Sequence, residues 1–138
     1  MAKVKAFFDT NVLLYSDDAR DAVKQHRAAD VLESHFRANT GAVSMQILQE
    51  YFYRATTKLK LDVEIARRRA FFFSNFTVVQ PSIEDFWAAI DLHRMHQISF
   101  WDALVVRMAL RSGAQTLFTE DLQHGRRFDN LQIVNPFL

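Results

Sequence analysis

The sequence contains no cysteine, which excludes disulfide bonds and metals held by thiolates. Only 3 glycines and 2 prolines occur, and no stretch rich in them marks a linker between domains. No apolar run approaches the length that spans a bilayer, and Asp9 and Asn11 interrupt the first apolar stretch too early for a secretory signal peptide. These absences predict a single domain over residues 1–138, located in the cytoplasm and without membrane contact.

The charges are nearly balanced, with a net charge of +1. No strong positive field therefore indicates a nucleic-acid partner, and none is excluded. Hydrophobic residues make up 49% of the chain and charged residues 24%, which is typical of a soluble globular protein. The 13 phenylalanines predict a well-filled core or an apolar interface.

Short apolar strands alternate with helical patterns along the chain. Strands are predicted at 4–8, 41–44, 77–80, 114–119 and 131–135, and helices at 19–38, 45–58, 63–76 and, in succession, after Ser82 and after Ser99. Both serines stand three residues before an aspartate, which is capping-box spacing. Continuous apolar strands between helices indicate an α/β fold with a mainly parallel sheet.

Four acidic residues stand where such a fold would bring them to one edge. Asp9 follows the first strand and Asp121 follows the fourth, whereas Asp102 and Glu50 lie in or just past the first turn of a helix. Strand ends and the following helix starts share one edge of an open parallel sheet, so these carboxylates can converge there. Converging carboxylates repel one another unless they are protonated or bridged by cations. Oxygen ligands without cysteine indicate Mg²⁺ or Mn²⁺.

Each of these acids also has an ordinary structural interpretation. Asp102 can be the capping partner of Ser99, and Asp121 can be a turn residue. Glu50 can be a solvated helix residue, and Asp9 can begin an Asx turn. Their joint placement at one edge, rather than any single residue, carries the prediction of a metal site.

Four segments resemble the signature segments of PIN-domain proteins, most nearly the VapC-like toxins of toxin–antitoxin pairs; these are FFDTNVLLY, SMQILQEYFY, SFWDALVVRMAL and LFTEDLQHGRRF. The resemblance spans essentially the whole chain. It implies a three-layer α/β/α sandwich and an endoribonuclease dependent on Mg²⁺ or Mn²⁺. The family's acidic quartet falls on Asp9, Glu50, Asp102 and Asp121, and its supporting polar positions on Asn11 and Thr119. A homodimer, and a small antitoxin that occludes the active site, are also implied.

On this hypothesis the reaction is metal-assisted hydrolysis of an RNA phosphodiester. Asp9 and Asp102 would hold the main ion, while Asp121 and Glu50 would complete its shell, hold a second ion or orient the attacking water. The resemblance suggests in-line attack that leaves a 5′-phosphate and a 3′-hydroxyl, with no covalent nucleophile.

Basic residues that could contact the RNA backbone form two clusters. His124, Arg126 and Arg127 closely follow Asp121 and are the predicted phosphate contacts. The arginines at 67–69 span about 200° of a helix surface, so they cannot all face one ligand, and a solvated face is predicted for them.

Aromatic residues raise a separate question of packing. The three phenylalanines at 71–73 fan out over more helix surface than one core-facing stripe buries, which predicts a homodimer or antitoxin contact there. Trp87 and Trp101 are predicted to be core or near-core residues rather than base-stacking platforms.

Three other functions stay open. A haloacid-dehalogenase-type phosphatase also begins with a strand that ends in aspartate, but it needs a second aspartate two residues on, where this chain has Asn11. A flap endonuclease needs helical DNA-binding additions for which 138 residues leave no room. A non-catalytic PIN-like module that binds RNA or protein has no physical need for four unneutralised acids at one edge.

Overall fold

The computed structural model describes residues 3–138, and these residues form six strands and six helices. The strands are β1 (Ala6–Phe8), β2 (Gly41–Ser44), β3 (Thr77–Val79), β4 (Thr116–Phe118), β5 (Arg127–Phe128) and β6 (Leu131–Val134). The helices are α1 (Thr10–Ser16), α2 (Ala22–Ala38), α3 (Met45–Thr57), α4 (Val63–Phe73), α5 (Ile83–His96) and α6 (Phe100–Ser112). Within these residues, no helix combines the length and the apolar character that crossing a bilayer requires.

The strands form one sheet in the order β3-β2-β1-β4-β6-β5. Neighbouring strands are parallel except β5, which is antiparallel to β6. Helices flank this sheet, so the predicted three-layer α/β/α sandwich with a mainly parallel sheet is confirmed. Phe8 in β1 is level with Phe118 in β4. The residues that follow, Asp9 and Thr119, therefore leave adjacent strands side by side.

The central strands are continuous apolar runs because both of their faces are covered. Phe7, Phe8, Leu117 and Ile133 are all fully buried. The Phe8 ring stacks on that of Phe118, with centroids 5.4 Å apart and 12° between the ring planes. The aspartate that follows β1 thus comes directly after a fully buried strand.

The helix α1, which follows β1 without a loop, is not predicted by the sequence. Asp9 is its N-cap, and Val12 and Leu13 are fully buried. A buried helix of 7 residues contains too few turns to establish a helical period, so its pattern does not differ from that of a short apolar strand. The strand β5 was likewise not predicted, because its two residues carry no alternating pattern.

The two predicted capping boxes differ. Ser82 and Asp85 form a complete box at the start of α5, as predicted. At the start of α6, Ser99 Oγ accepts the backbone N–H of Asp102 at 3.0 Å, without the return bond that would complete a box. The capping bond itself does not use the Asp102 carboxylate, although a side-chain hydrogen bond with Ser99 opposes the rise that burial causes in the pKa of that group.

The prediction that both tryptophans lie in or near the core is wrong. Trp87 is 58% exposed and Trp101 is 66% exposed. Trp87 stands two residues from both Asp85 and Ala89, which are buried, so it lies about 200° around α5 from the packed face. Trp101 is the second residue of α6, at the edge where the strands end, and the described part of the chain does not cover it.

The three phenylalanines at the end of α4 point in different directions. Phe73 is fully buried, Phe72 is half-buried and Phe71 is 70% exposed. One subunit therefore leaves part of this aromatic segment uncovered. Phe71 borders an open apolar groove of about 560 Å³, named here the α3–α4 groove, whose other apolar walls are Met45, Leu48, Phe52 and Ala70.

Candidate active site

Asp9 is the most buried of the predicted site acids, with 8% of its surface exposed. The backbone N–H of Thr10 donates to its Oδ1 atom at 2.8 Å, and the Thr119 hydroxyl donates to its Oδ2 atom at 2.8 Å. Among residues 3–138, no lysine, arginine or histidine forms an ion pair with it. Two hydrogen bonds thus replace water around this carboxylate, but no positive charge balances it.

Burial raises the pKa of Asp9 from its ordinary value of 3.8 to about 7. The hydrogen bonds from Thr119 and Thr10 oppose this rise in pKa, whereas the negative charges of Asp121 and Glu50 add to it. A buried carboxylate whose pKa is displaced this far, in a cleft with other acids, is typical of a functional site. A bound cation would restore the ionised form.

Asn11, Thr119 and Asp121 form a hydrogen-bonded network around Asp9. Thr119 Oγ1 donates to Asp9, accepts the backbone N–H of Asp121 at 3.1 Å and lies 3.4 Å from Asn11 Nδ2. Asn11 Nδ2 also donates to Asp121 Oδ2 at 3.0 Å. A flipped amide would turn its oxygen toward the Asp121 carboxylate, so the observed orientation is the favourable one. It leaves Asn11 Oδ1 buried without a hydrogen-bond partner.

Asp102 and Glu50 reach the same region from two helices. Asp102 lies in the first turn of α6 and is half-buried. Burial raises the pKa of Asp102, and the negative charge of Asp121 contributes to the rise. Glu50 lies on α3 and is exposed, with its carboxylate 3.6 Å from Arg54 Nε. Exposed pairs of this kind contribute little to stability, so the Glu50 carboxylate is free to bind elsewhere.

Two adjoining clefts open at this edge of the sheet. The first, named here the aromatic cleft, has a volume of about 480 Å³ and is lined by Asp9, Gln46, Ile47, Glu50, Tyr53, Arg54, Trp101, Asp102, Val105 and Asp121. The second, named here the basic cleft for Arg20, Arg54 and Lys58, has a volume of about 300 Å³; it shares Asp9, Glu50, Arg54 and Asp121 with the first and adds Asp18, Arg20, Lys58 and Glu120. Of its basic side chains, Arg20 pairs with Asp18 and Arg54 with Glu50. All four predicted acids therefore line one cleft.

The carboxylates line this cleft without meeting at a point. Within residues 3–138, no three acidic or histidine side chains stand close enough together to share an ion. Like charges on one edge repel one another, which favours such a spread arrangement.

The donor set fits a hard divalent cation. It consists of carboxylate oxygens and one amide oxygen, which Mg²⁺ and Mn²⁺ accept. The charge of Asp9 has no counter-charge, and Asn11 Oδ1 has no hydrogen-bond donor. A cation with oxygen ligands would satisfy both deficits.

His124, Arg126 and Arg127 line neither cleft. His124 Nδ1 accepts the backbone N–H of Asn135 at 3.0 Å, and Arg126 donates to the backbone oxygen of His96 at 3.2 Å. After Gly125, which has a φ of +86°, the chain turns back into β5. Because β5 runs antiparallel to β6, Arg127 lies level with the beginning of β4 rather than its end. Their placement does not support the predicted phosphate contacts.

Three other basic residues, which are not predicted from the sequence, lie beside the acids. Arg54 and Lys58 follow Glu50 at intervals of four residues, a helical spacing that puts them in one row and could have revealed them. Arg20 binds Asp18 through two nitrogen atoms, each at 2.9 Å. No comparable signal in the sequence points to Arg20.

The arginines at 67–69 do not form one surface, and the solvated face predicted for all three is wrong for Arg69. Arg67 and Arg68 are exposed, whereas Arg69 is half-buried and pairs with Asp17 at 2.8 Å. The hydroxyl of Tyr51 donates to the other oxygen of Asp17 at 2.5 Å, so Arg69 belongs to a structural link between α3 and α4.

The family model described as PIN domain matches residues 6–130, and the chain belongs to this family, as predicted. No curated protein matches this chain.

Solved structures of similar fold include toxins and toxin–antitoxin complexes. A toxin–antitoxin complex from Klebsiella pneumoniae is 19% identical with a TM-score of 0.73, over 96% of this chain and 98% of that one. VapC20 of Mycobacterium tuberculosis, a toxin that cleaves the sarcin–ricin loop, is 18% identical with a TM-score of 0.67. The match covers 82% of this chain and 87% of VapC20. VapBC2 of Rickettsia felis, bound to a DNA fragment from its promoter, is 22% identical with a TM-score of 0.67. The match covers 94% of this chain and 97% of that one. At these identities the likeness shows the shared fold.

Proposed function

We propose that this PIN-domain protein is a metal-dependent endoribonuclease and the toxin of a toxin–antitoxin pair. The observation that carries the proposal is the buried Asp9 carboxylate, which has no counter-charge and opens into a cleft that three more carboxylates line. Burying such a group costs free energy, and a catalytic metal site gives that cost a purpose. The domain over residues 1–138 would act in the cytoplasm on RNA.

Because no three acidic side chains of the described residues stand close enough to share an ion, Asp9, Asp102, Asp121 and Glu50 would hold Mg²⁺ or Mn²⁺ partly through bound water, as Mg²⁺ usually is in proteins. Asn11 Oδ1 would be a further oxygen donor. When bound, such an ion polarises a phosphate oxygen and makes a water molecule a stronger nucleophile. Every other part of the reaction falls to the chain itself.

The supporting residues orient the carboxylates, and the hydrogen bond from Thr119 opposes the rise in the pKa of Asp9. Thr119 donates to Asp9, and Asn11 donates to Asp121, so each carboxylate presents its remaining lone pairs to the cleft. Arg20, Arg54 and Lys58 in the basic cleft would bind phosphates on one side of the cleaved bond. Attack by water would leave a 5′-phosphate and a 3′-hydroxyl.

The direct test is cleavage of end-labelled RNA by the purified protein. We expect cleavage in Mg²⁺ or Mn²⁺, none in EDTA, and 5′-phosphate ends on the products. Asp9→Asn and Asp102→Asn should each lower the rate on the order of 100-fold or more. Asp62→Asn is the matched control, because Asp62 is also a helix N-cap but lines neither cleft. Cleavage of RNA by Asp9→Asn at the wild-type rate would refute the proposal.

The same assay separates the alternatives. A non-catalytic module would bind RNA without cutting it and would show no affinity for Mg²⁺ or Mn²⁺ at millimolar concentration. A phosphatase of the haloacid-dehalogenase type would form a phosphoaspartate that can be trapped.

A protein partner is the second part of the proposal. Solved structures of similar fold include toxin–antitoxin complexes, and the α3–α4 groove leaves Phe71 and Met45 uncovered. An apolar segment of the antitoxin would fill this groove. Phe71→Asp should abolish binding of the protein encoded by the neighbouring gene. Val23→Asp is the control, because Val23 is 65% exposed on α2, outside the groove.

Light scattering on the isolated chain tests the predicted homodimer. If Phe71→Asp converts a dimer into a monomer and leaves the antitoxin complex intact, the groove is the dimer interface instead.

A further inference from the structure

Two large aromatic side chains are open to solvent beside the acidic residues. Trp101 is 66% exposed and Tyr53 is 67% exposed, and both line the aromatic cleft. Large exposed aromatic rings that border a cleft are typical of a binding surface. The hydrolysis proposed above uses neither ring, so their exposure needs another explanation.

The positions of both rings follow from the helices that carry the acids. Tyr53 comes three residues after Glu50 on α3, and residues at this spacing share a helix face. Trp101 immediately precedes Asp102 in the first turn of α6. The Phe100 ring, with its centroid 5.2 Å away and its plane at 72°, supports Trp101. A polymer whose phosphate reaches the acids therefore brings its neighbouring groups to these two rings.

We propose that Trp101 and Tyr53 form a stacking surface for a nucleobase next to the cleaved phosphate. This inference rests on the proposed function as an RNA nuclease. The two clefts meet at the shared acids and differ in what they add to them: the basic cleft adds Lys58 and Arg20, whose charges can reach phosphates, whereas the aromatic cleft adds the flat faces of Trp101 and Tyr53. A strand that crosses the acids thus has its backbone toward Lys58 and Arg20 and a base toward Trp101.

A base can stack on Trp101 only if it has left its own helical stack, as RNA bases do in single strands and loops. A short single-stranded RNA is therefore the probe that tests this stacking surface.

The experiment measures RNA binding in the Asp9→Asn protein, which separates binding from cleavage. Fluorescence anisotropy in Mg²⁺ gives the affinity for a short single-stranded RNA and for an abasic strand of the same length. Trp101→Ala should weaken RNA binding roughly 5- to 100-fold, the range for loss of one base–aromatic stack, and leave binding of the abasic strand unchanged. Tyr53→Ala should act in the same direction, and Trp101→Phe should retain most of the affinity.

Trp87→Ala is the control, because Trp87 is 58% exposed but lines neither cleft. It should leave both affinities unchanged. The inference is overturned if Trp101→Ala binds RNA as tightly as the Asp9→Asn parent, or if it weakens the affinity for RNA and for the abasic strand equally. It is also overturned if the Asp9→Asn parent binds no RNA. An effect of Trp101→Ala on the antitoxin alone would also overturn it and assign the surface to that partner.

Failure of the proposed function looks different. In that case the wild-type chain leaves RNA intact in Mg²⁺ and Mn²⁺, whatever Trp101→Ala does to binding.

Discussion

Replacing Asp9 by asparagine should make the metal-free protein more stable while removing its activity. Asparagine has nearly the shape of aspartate, can still accept the backbone N–H of Thr10 and carries no charge to desolvate. Because the pKa of Asp9 rises from 3.8 to about 7 on folding, and each tenfold change in proton affinity is worth about 1.4 kcal/mol, ionised Asp9 costs the folded state up to about 4 kcal/mol.

The sign of the pH dependence follows from the direction of this shift. Between pH 4 and pH 7 the folded protein keeps the Asp9 proton that the unfolded chain has already released. The free energy of unfolding therefore falls as the pH rises through this range and levels off above it. The Asn variant lacks this contribution, so it should exceed the wild type by about 2 to 4 kcal/mol at pH 8 and by little at pH 4.

Urea denaturation in EDTA at several pH values measures this difference. Asp62→Asn, which removes the carboxylate of an exposed helix N-cap, is the control. Adding Mg²⁺ at a hundred times its dissociation constant should stabilise only the wild type, by about 2.7 kcal/mol, and so offset most of the gap. Parallel curves for wild type and Asp9→Asn from pH 4 to pH 8 would refute the reasoning.

Three further substitutions test the surroundings of the site and the core. Thr119→Val removes the hydroxyl that donates to Asp9 and should cost about 2 kcal/mol at pH 8, measured by urea denaturation, and also lower the cleavage rate. Asp85→Ala leaves two arginines without their buried partner and should cost about 3 kcal/mol, seen as a lower thermal midpoint with unchanged metal binding. Gly41→Ala would put a methyl group 2.7 Å from the Phe76 ring and should cost about 1 to 3 kcal/mol; an unchanged urea midpoint would contradict the packing described for β2.

Much of the fold could be predicted from the sequence because the strands are continuous apolar runs bounded by strong helix caps. Ser44 caps α3, as its position before the helical pattern predicts. The short helix α1 could not be predicted in this way, because Val12 and Leu13 are buried by neighbouring layers rather than along one stripe. The exposure of Trp87 likewise depends on contacts between residues distant in sequence. Asp85, paired with two arginines of α6, occupies the packed face of α5, so Trp87 lies on the other side.

The convergence of the four acids on one cleft could be predicted because parallel strands and the helices after them place their ends at one edge. Their separation in the cleft could not, since it depends on side-chain positions that sequence spacing leaves free. The basic residues show the same limit. His124 and Arg127 are near Asp121 in sequence, but His124 binds the backbone N–H of Asn135 and the turn at Gly125 carries Arg127 into β5, whereas Lys58 reaches the cleft from a distant helix end.

The borders of the sheet constrain how this protein can join with others. At one border β3 has 3 residues and is followed within two residues by Pro81, and at the other β5 has only 2. Such short ends, one of them beside a proline, offer an incoming strand few backbone groups to bond. Complexes built by extending the sheet are therefore disfavoured, and we expect assembly to proceed through helix surfaces, where a substitution can abolish contact without unfolding the chain.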